Sequence, residues 1–254
     1  MSIFNTFSKI PDILYNYKPW NDYTKQILTN HQLWFSYPDE FNDPYDCKPY
    51  IKDTKFRIPS DTQLGLPRKD VGVMHMPVSK GEIRISYNLQ KQIGNTLLSS
   101  YMIYCFSKRN DNILLWSHYA EYHKGICLVF SPIEDSTCFN HGYDIYYSNK
   151  RHEYTLLENL EERNPLNTKY AGWQYEDEFR IIKTPTEVQH NNGSNLYSFK
   201  PEALSEIILG AKASEQTYSE VTQMCEEHQL KHVKFSKMQL ADEELYKLIK
   251  VPLK

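Results

Sequence analysis

The chain has 254 residues, of which 40% are hydrophobic and 24% charged, with a formal net charge of −3. That length suffices for one domain with a sizeable core. The interspersed charge excludes the broad basic footprint of a nucleic-acid-binding domain and leaves room only for a local basic groove.

The 20 tyrosines and 11 phenylalanines indicate a folded protein whose core and clefts rest on aromatic rings. The five cysteines (Cys47, Cys105, Cys127, Cys138, Cys225) are scattered without a C-x-x-C pair, which predicts neither a disulfide framework nor a zinc site. No apolar stretch has signal-peptide or membrane-spanning length, so a reduced, cytoplasmic setting without a membrane partner is expected.

Ile13–Tyr17 reads as a first strand, stopped by Lys18-Pro19. Asp22 caps a short helix to about Leu28, and His31–Ser36 forms an aromatic second strand that runs into the turn formers of Tyr37–Asp46. Residues 51–85, punctuated by proline and glycine, read as an irregular insertion or lid. A helix with Leu89, Ile93 and Leu97 on one face follows, then a strand over Tyr101–Ser107. Asp111 or Asn112 caps the next helix, which carries Leu114, Leu115, Trp116, His118, Tyr119 and Tyr122 until Gly125 stops it. Ile126–Ser131 has the continuous apolar character of a central strand, with Tyr143–Tyr147 as its neighbour. His152–Arg163 reads as a charged helix.

The stretch Lys169–Lys183 concentrates the chemistry. In an extended chain Tyr175, Phe179 and Ile181 share one face, Glu176, Glu178 and Arg180 share the other, and Asp177 falls on the apolar side. The two glutamates then stand roughly 7 Å apart at their α-carbons, near enough to act on one substrate and to couple their charges. The plainer reading is a solvated strand end, or a helix in which Glu176 pairs with Arg180. Beyond it come a loop at Thr184–Asn195, a strand at Leu196–Lys200 pairing back as a hairpin, a strand at Glu206–Leu209, a helix over Ser214–His228, a strand at His232–Ser236 and a short tail. This irregular order predicts an α+β fold: a single mixed domain with a central, largely antiparallel sheet flanked by helices.

No Gly-rich phosphate loop, G-x-S-x-G, H-E-x-x-H or EF-hand occurs. His118 and His123, five apart, do not share a helical face, so no metal site is predicted.

Through Phe41-Asn-Asp-Pro-Tyr-Asp46, Tyr101–Ser107, Leu115-Trp-Ser-His-Tyr119, Lys124–Phe130 and Trp173-Gln-Tyr-Glu-Asp-Glu-Phe-Arg180, the chain resembles a bacterial family catalogued as domain of unknown function number twenty-nine seventy-one. The resemblance runs from Leu14 to about Ile182. More distantly it resembles the ADP-ribosyltransferases, whose pattern is a polar residue on the first strand, a Ser or Tyr on a later one, and a Glu-x-Glu. Tyr17 or Lys18 matches the first element, where those enzymes usually carry Arg or His; Ser107, followed by Lys108-Arg109, or Tyr119 matches the second; Glu178, preceded by Glu176, matches the third.

This likeness implies an ADP-ribosyltransferase-like fold and NAD as substrate, with transfer of ADP-ribose to a macromolecular acceptor, protein or nucleic acid, in the service of a toxin or phage-defence effector. Glu178 would stabilise the ribosyl cation and Glu176 would activate the acceptor. Ser107 and Lys18, beside Arg109, would hold ribose and phosphate, and Tyr17, Trp116 or Tyr119 would stack on nicotinamide. Trp116 and Tyr119 equally fit a helix core, and Ser107 a strand end. Two other classes compete: a metal-dependent nuclease using Asp43, Asp46, Glu176 and Glu178 with Lys183 nearby, and a non-catalytic sensor or partner-binding module.

Overall fold

Eight segments of the chain, one of them wholly apolar, line up as one sheet in the computed structural model, which describes residues 8–51, 56–57, 64–67, 73–76, 82–83, 87–154, 164–242 and 245–253. The strands are β1 (Leu14–Lys18), β2 (Met102–Ser107), β3 (Ile126–Phe130), β4 (Gly142–Asp144), β5 (Glu178–Lys183), β6 (Leu204–Leu209), β7 (Lys234–Leu240) and β8 (Leu248–Pro252). Their spatial order is β4-β5-β2-β1-β3-β6-β7-β8. Every neighbouring pair is antiparallel except β6 with β7, which run parallel. The α+β expectation of a central, largely antiparallel sheet flanked by helices therefore holds.

Among the described residues five α-helices accompany it: α1 (Asp22–Asn30), α2 (Tyr87–Leu98), α3 (Ile113–Tyr119), α4 (Pro185–His190) and α5 (Glu215–Glu227). Strand alternation sorts the core into two faces. One carries Leu14, Tyr104, Phe106, Leu128, Phe130, Phe179 and Ile181 against Ile27 and Leu28 of α1 and Val221 and Cys225 of α5. The other carries Cys127, Val129 and Ile208 against Leu115 and Trp116 of α3, and Ile103 and Ile182 near Leu98 of α2. β3 is buried at every position, as its unbroken apolar run demands.

The structure corrects several expectations, each for a local reason. Asn21, not Asp22, caps α1, its side chain accepting from Thr24 N. The buried positions of α2 are Gln90, Gly94 and Leu98, one residue on from the expected Leu89, Ile93 and Leu97. The segment Tyr143–Tyr147 breaks in two and does not adjoin β3: Gly142–Asp144 pairs with β5, while Tyr146–Ser148 pairs with Thr168–Tyr170. The expected loop after Lys183 contains α4, opened by a capping box between Thr184 and Glu187. Leu196–Ser198 pairs with Gln32–Trp34 rather than back on β5, and the expected tail supplies edge strand β8. Within the expected insertion, Phe56–Arg57 pairs with Glu82–Ile83 and Leu64–Pro67 with Val73–Met76. The remainder of 52–86 and most of the expected helix 152–163 lie outside the described residues, and Glu153–Tyr154 is a strand. All five cysteines are free. Among the described residues, no helix is long and apolar enough to cross a membrane.

α3 ends at Tyr119, well before Gly125. Three consecutive residues, Glu121, Tyr122 and His123, then take left-handed backbone with φ of 49°, 55° and 72°. Each costs roughly 1–2 kcal/mol in a non-glycine residue, so the turn is held by what surrounds it. His123 N donates to Trp116 O, Gly125 N to Ala120 O, and Lys212 N to His123 O. Gly125 serves a close approach: a Cβ there would lie 2.2 Å from the Lys18 carbonyl oxygen. Gly125→Ala should therefore force β1 and β3 apart at Lys18 and destabilise the protein by about 1–3 kcal/mol in urea unfolding. A change under about 0.5 kcal/mol would show that the backbone at Lys18 yields freely.

Candidate active site

β1 and β2 are paired at one register position only, Tyr15 with Ser107. Further along β2 the backbone turns to Ser36, which exchanges bonds of 2.8 and 2.9 Å with Ile103. Asn16 spans the opening between the strands, its Nδ2 donating to the Cys105 carbonyl at 3.1 Å and its Oδ1 accepting from the Tyr104 hydroxyl at 2.8 Å. A cavity of about 240 Å³ occupies this split; it is lined among others by Tyr17 and Lys18 of β1, Ser107 of β2, Tyr119 of α3, and Glu176 and Glu178.

The glutamates reach it by a different route from simple alternation. Ala171–Glu176 is a 3-10 turn, Asp177 adopts left-handed backbone, and β5 begins only at Glu178. This fold-back returns the chain towards Lys169, whose Nζ lies 2.5 Å from Glu176 Oε2 and 2.7 Å from Glu178 Oε2. The turn is pinned from all sides: Ser107 Oγ donates to Glu176 O, Lys108 N to Asp177 O, Asn112 Nδ2 to Tyr175 O, and Glu178 N to the Tyr147 hydroxyl. Tyr175 accordingly leaves the Phe179 face and packs against the Leu115–Trp116 cluster.

Behind the glutamates, Arg180 is fully buried. Its Nε donates to Glu178 Oε1 at 2.6 Å, its Nη2 to both oxygens of Asp46 at 2.9 and 2.8 Å, and its Nη1 to Leu166 O at 2.7 Å. Tyr119 completes the set by donating its hydroxyl to Glu176 Oε1 at 2.7 Å. Three carboxylates against two cations leave one formal negative charge in a deeply buried cluster. Burial alone would raise the Glu178 carboxyl, but the Arg180 guanidinium and then the Lys169 ammonium outweigh it and hold the group well below the usual carboxylate range. Burial likewise opposes the charge on Lys169, and Glu178 chiefly overcomes it, keeping the ammonium protonated. The hydroxyl of Tyr119 is pushed up by burial and by Glu176.

Lys18 sits opposite in character. Among the described residues its Nζ has no carboxylate partner, lying 5.3 Å from the centre of the Tyr104 ring, and burial lowers its basicity. It lines both the carboxylate cavity and a neighbouring one of about 460 Å³ that runs past Trp34 to Tyr23.

The structure thus brings Tyr17, Lys18, Ser107, Tyr119, Glu176 and Glu178 to one cavity and leaves two expected residues out of its lining. Trp116 is wholly buried, edge-on to Tyr17 at 5.1 Å with Nε1 donating to Asn110 O, so its ring is core. Arg109 points its guanidinium to Asp111 at the surface. Tyr17 and Ser107 also hold the loop between them: Tyr17 OH donates to Arg109 O, and Arg109 N donates to Ser107 Oγ. Of the four acidic residues of the nuclease pattern, Asp46, Glu176 and Glu178 do converge, but on Lys169 and Arg180, while Asp43 accepts from Trp173 Nε1 at 2.8 Å. Lys183 lies on the other face of β5, donating to Cys138 O and Asn140 Oδ1. Among the described residues no group of three or more His, Cys, Asp or Glu is arranged to hold a metal ion. Lys169 and Asn16 were not anticipated; the signal for Lys169 was its place at the other end of a short Ala-Gly-Trp turn from the glutamates.

Residues 115–181, from α3 into β5, match the model of a family described as a protein of unknown function (DUF2971). The match ends inside the charge cluster and includes Tyr119, Lys169, Glu176, Glu178 and Arg180. No curated protein and no solved structure matches the chain.

The shared ammonium can be tested by pH. Because the folded-state ionisation of Glu178 is depressed, its stabilising contribution is complete above about pH 4.3, the ordinary glutamate value, and is lost as pH falls below that. Lys169→Met leaves buried carboxylates without their common partner and should cost about 3–5 kcal/mol at pH 7. At pH 3 the gap to wild type in urea unfolding should narrow; a gap of the same size at both pH values would mean that Lys169 acts through packing alone.

Proposed function

We propose that the protein is an NAD-dependent ADP-ribosyltransferase, with the fold of that class, which cleaves the nicotinamide–ribose bond and passes ADP-ribose to a macromolecular acceptor, as a toxin or phage-defence effector does. The observation that carries this reading is the convergence of Glu176 and Glu178, both held by Lys169, in the same cavity as Tyr17 and Lys18.

Breaking the C1′–N1 bond sends its electron pair to nicotinamide, which leaves neutral, and builds positive charge on the ribose. An ionised, fixed carboxylate with one uncompensated charge in its cluster stabilises that transition state more than the ground state. Glu178 fits this part: Arg180 and Lys169 keep it ionised and immobile, and it borders the cavity. The acceptor's nucleophilic atom then bonds to C1′ and its proton passes to Glu176, whose Oε1 faces the Tyr119 hydroxyl. Ser107 acts as a positioning residue through its bond to the Glu176 carbonyl. The ammonium of Lys18, where the two cavities meet and no described carboxylate pairs with it, suits the diphosphate of a long dinucleotide, with the half-exposed Trp34 ring beyond it for the second base.

The mechanism makes the glutamates unequal. Glu178→Gln should lower nicotinamide release about a hundredfold or more with NAD binding retained, while Glu176→Gln should chiefly reduce transfer to a labelled acceptor and leave slow NAD hydrolysis. Both variants are assayed beside wild type at equal folded fraction, monitored by circular dichroism. Unchanged nicotinamide release by Glu178→Gln would remove the site; a thermal shift with Mg²⁺ and none with NAD would favour the nuclease instead.

A further inference from the structure

Lys169 lines a second cavity as well as the first. This one, about 460 Å³, differs in its lining: Lys48, Lys150, Arg151 and His152 alternate there with Tyr45 and Tyr170, and none of the described lining residues is acidic. Lys48 is partly neutralised by Asp39. Arg151 is not: its Nε and Nη2 donate to the carbonyls of Lys48 and Pro49, and its guanidinium lies 5.5 Å from the centre of the Tyr45 ring, so its partners among the described residues are uncharged. Lys150 has no ion pair among the described residues and is exposed. Tyr45 and Tyr170 are 63% and 56% exposed, an unusual state for two rings bordering one cavity.

In a protein of net charge −3 this concentration of cations is local, and it coincides with the exposed rings. A free inorganic anion would use the cations and leave the rings idle; an acidic peptide would do the same. A strand of nucleic acid uses both, its phosphates tracking the cations and its unpaired bases stacking on the tyrosines. A duplex offers the phosphates but hides the base faces. We infer that this cavity binds single-stranded nucleic acid, with Lys150 and Arg151 on phosphates and Tyr45 and Tyr170 under bases. Binding rests on this cavity alone; its use as the acceptor site, one lysine away from Glu176, rests on the transferase reading above.

The test is fluorescence anisotropy of labelled RNA and DNA strands of about a dozen nucleotides, a duplex of the same sequence, and polyglutamate, against the full chain. Wild type should bind a strand with an affinity that falls about tenfold or more between 50 and 200 mM salt. Lys150→Glu should weaken it about tenfold, and Tyr170→Ala should weaken it about fivefold or more, both variants remaining folded by circular dichroism. Comparison of the RNA and DNA arms identifies the source of the strand. No binding of either strand at tens of micromolar protein overturns the inference, as does unchanged binding by Lys150→Glu. Duplex or polyglutamate binding as tight as the strand also overturns it, reducing the cavity to a general anion patch. Nicotinamide release separates the two proposals: Lys150→Glu should release it at the wild-type rate, and a wild-type protein that binds the strand without touching NAD would sink the transferase reading alone.

Discussion

One ammonium group organises the centre of this protein. Lys169 Nζ is shared by Glu176 and Glu178, and with Arg180 it supplies the positive charge that offsets the burial of the Glu178 carboxylate. The requirement reaches far along the chain. It demands the sharp turn over residues 171–177, which in turn demands the left-handed Asp177 and the four groups that pin the turn's backbone. It demands Arg180 as a second counter-charge, and through Arg180 it ties Asp46 and the Leu166 carbonyl from two other segments. Such a network contributes little to stability compared with an apolar core of the same volume. Its retention is understandable where a fixed, ionised carboxylate has chemical use.

The other organising feature is the seam between β1 and β2. A sheet normally closes such a gap with backbone bonds; here the Asn16 side chain and Ser36 supply them, and the strands stay apart. The opening gives the carboxylates on one face and Lys18 on the other a common boundary that alternation along closed strands would deny them. The seam therefore joins opposite charges without letting them pair, which suits a ligand that is cationic at one point and anionic at another.

What could be read from residue order follows the range over which each signal acts. Local patterns were legible: the apolar run of β3, the Asn112 cap among the alternatives for α3, the helix starting near Ser214 that became α5. Glu176 and Glu178 were visible as a pair able to share one site, and the structure places both on one cavity. The path to their convergence was not, because strict alternation breaks at Asp177, whose left-handed backbone is an exception that residue type alone does not announce. Lys169 was visible as the start of the same stretch, yet its role depends on a turn that closes in three dimensions. Strand partners were the least accessible of all: Tyr143 and Leu196 lie in genuine strands, but β5 and Gln32–Trp34 claim them through contacts distant in sequence. Trp116 illustrates the converse, a residue suited by type to stack on a ring and committed by packing to the core.

The strand order has a consequence for how the chain is made. β1 is synthesised before every other strand of the sheet but stands near its middle, between β2 and β3. The 83 residues from 19 to 101 separate it from β2, and at roughly 5–20 residues per second a ribosome takes on the order of ten seconds to deliver that first partner. During this interval Leu14, Tyr15, Tyr17 and both edges of β1 have no sheet to enter. The central seam cannot form strand by strand in chain order; it closes only when β2 and β3 arrive, so the cavity between β1 and β2 waits for residues made well after the half of its wall that precedes β2.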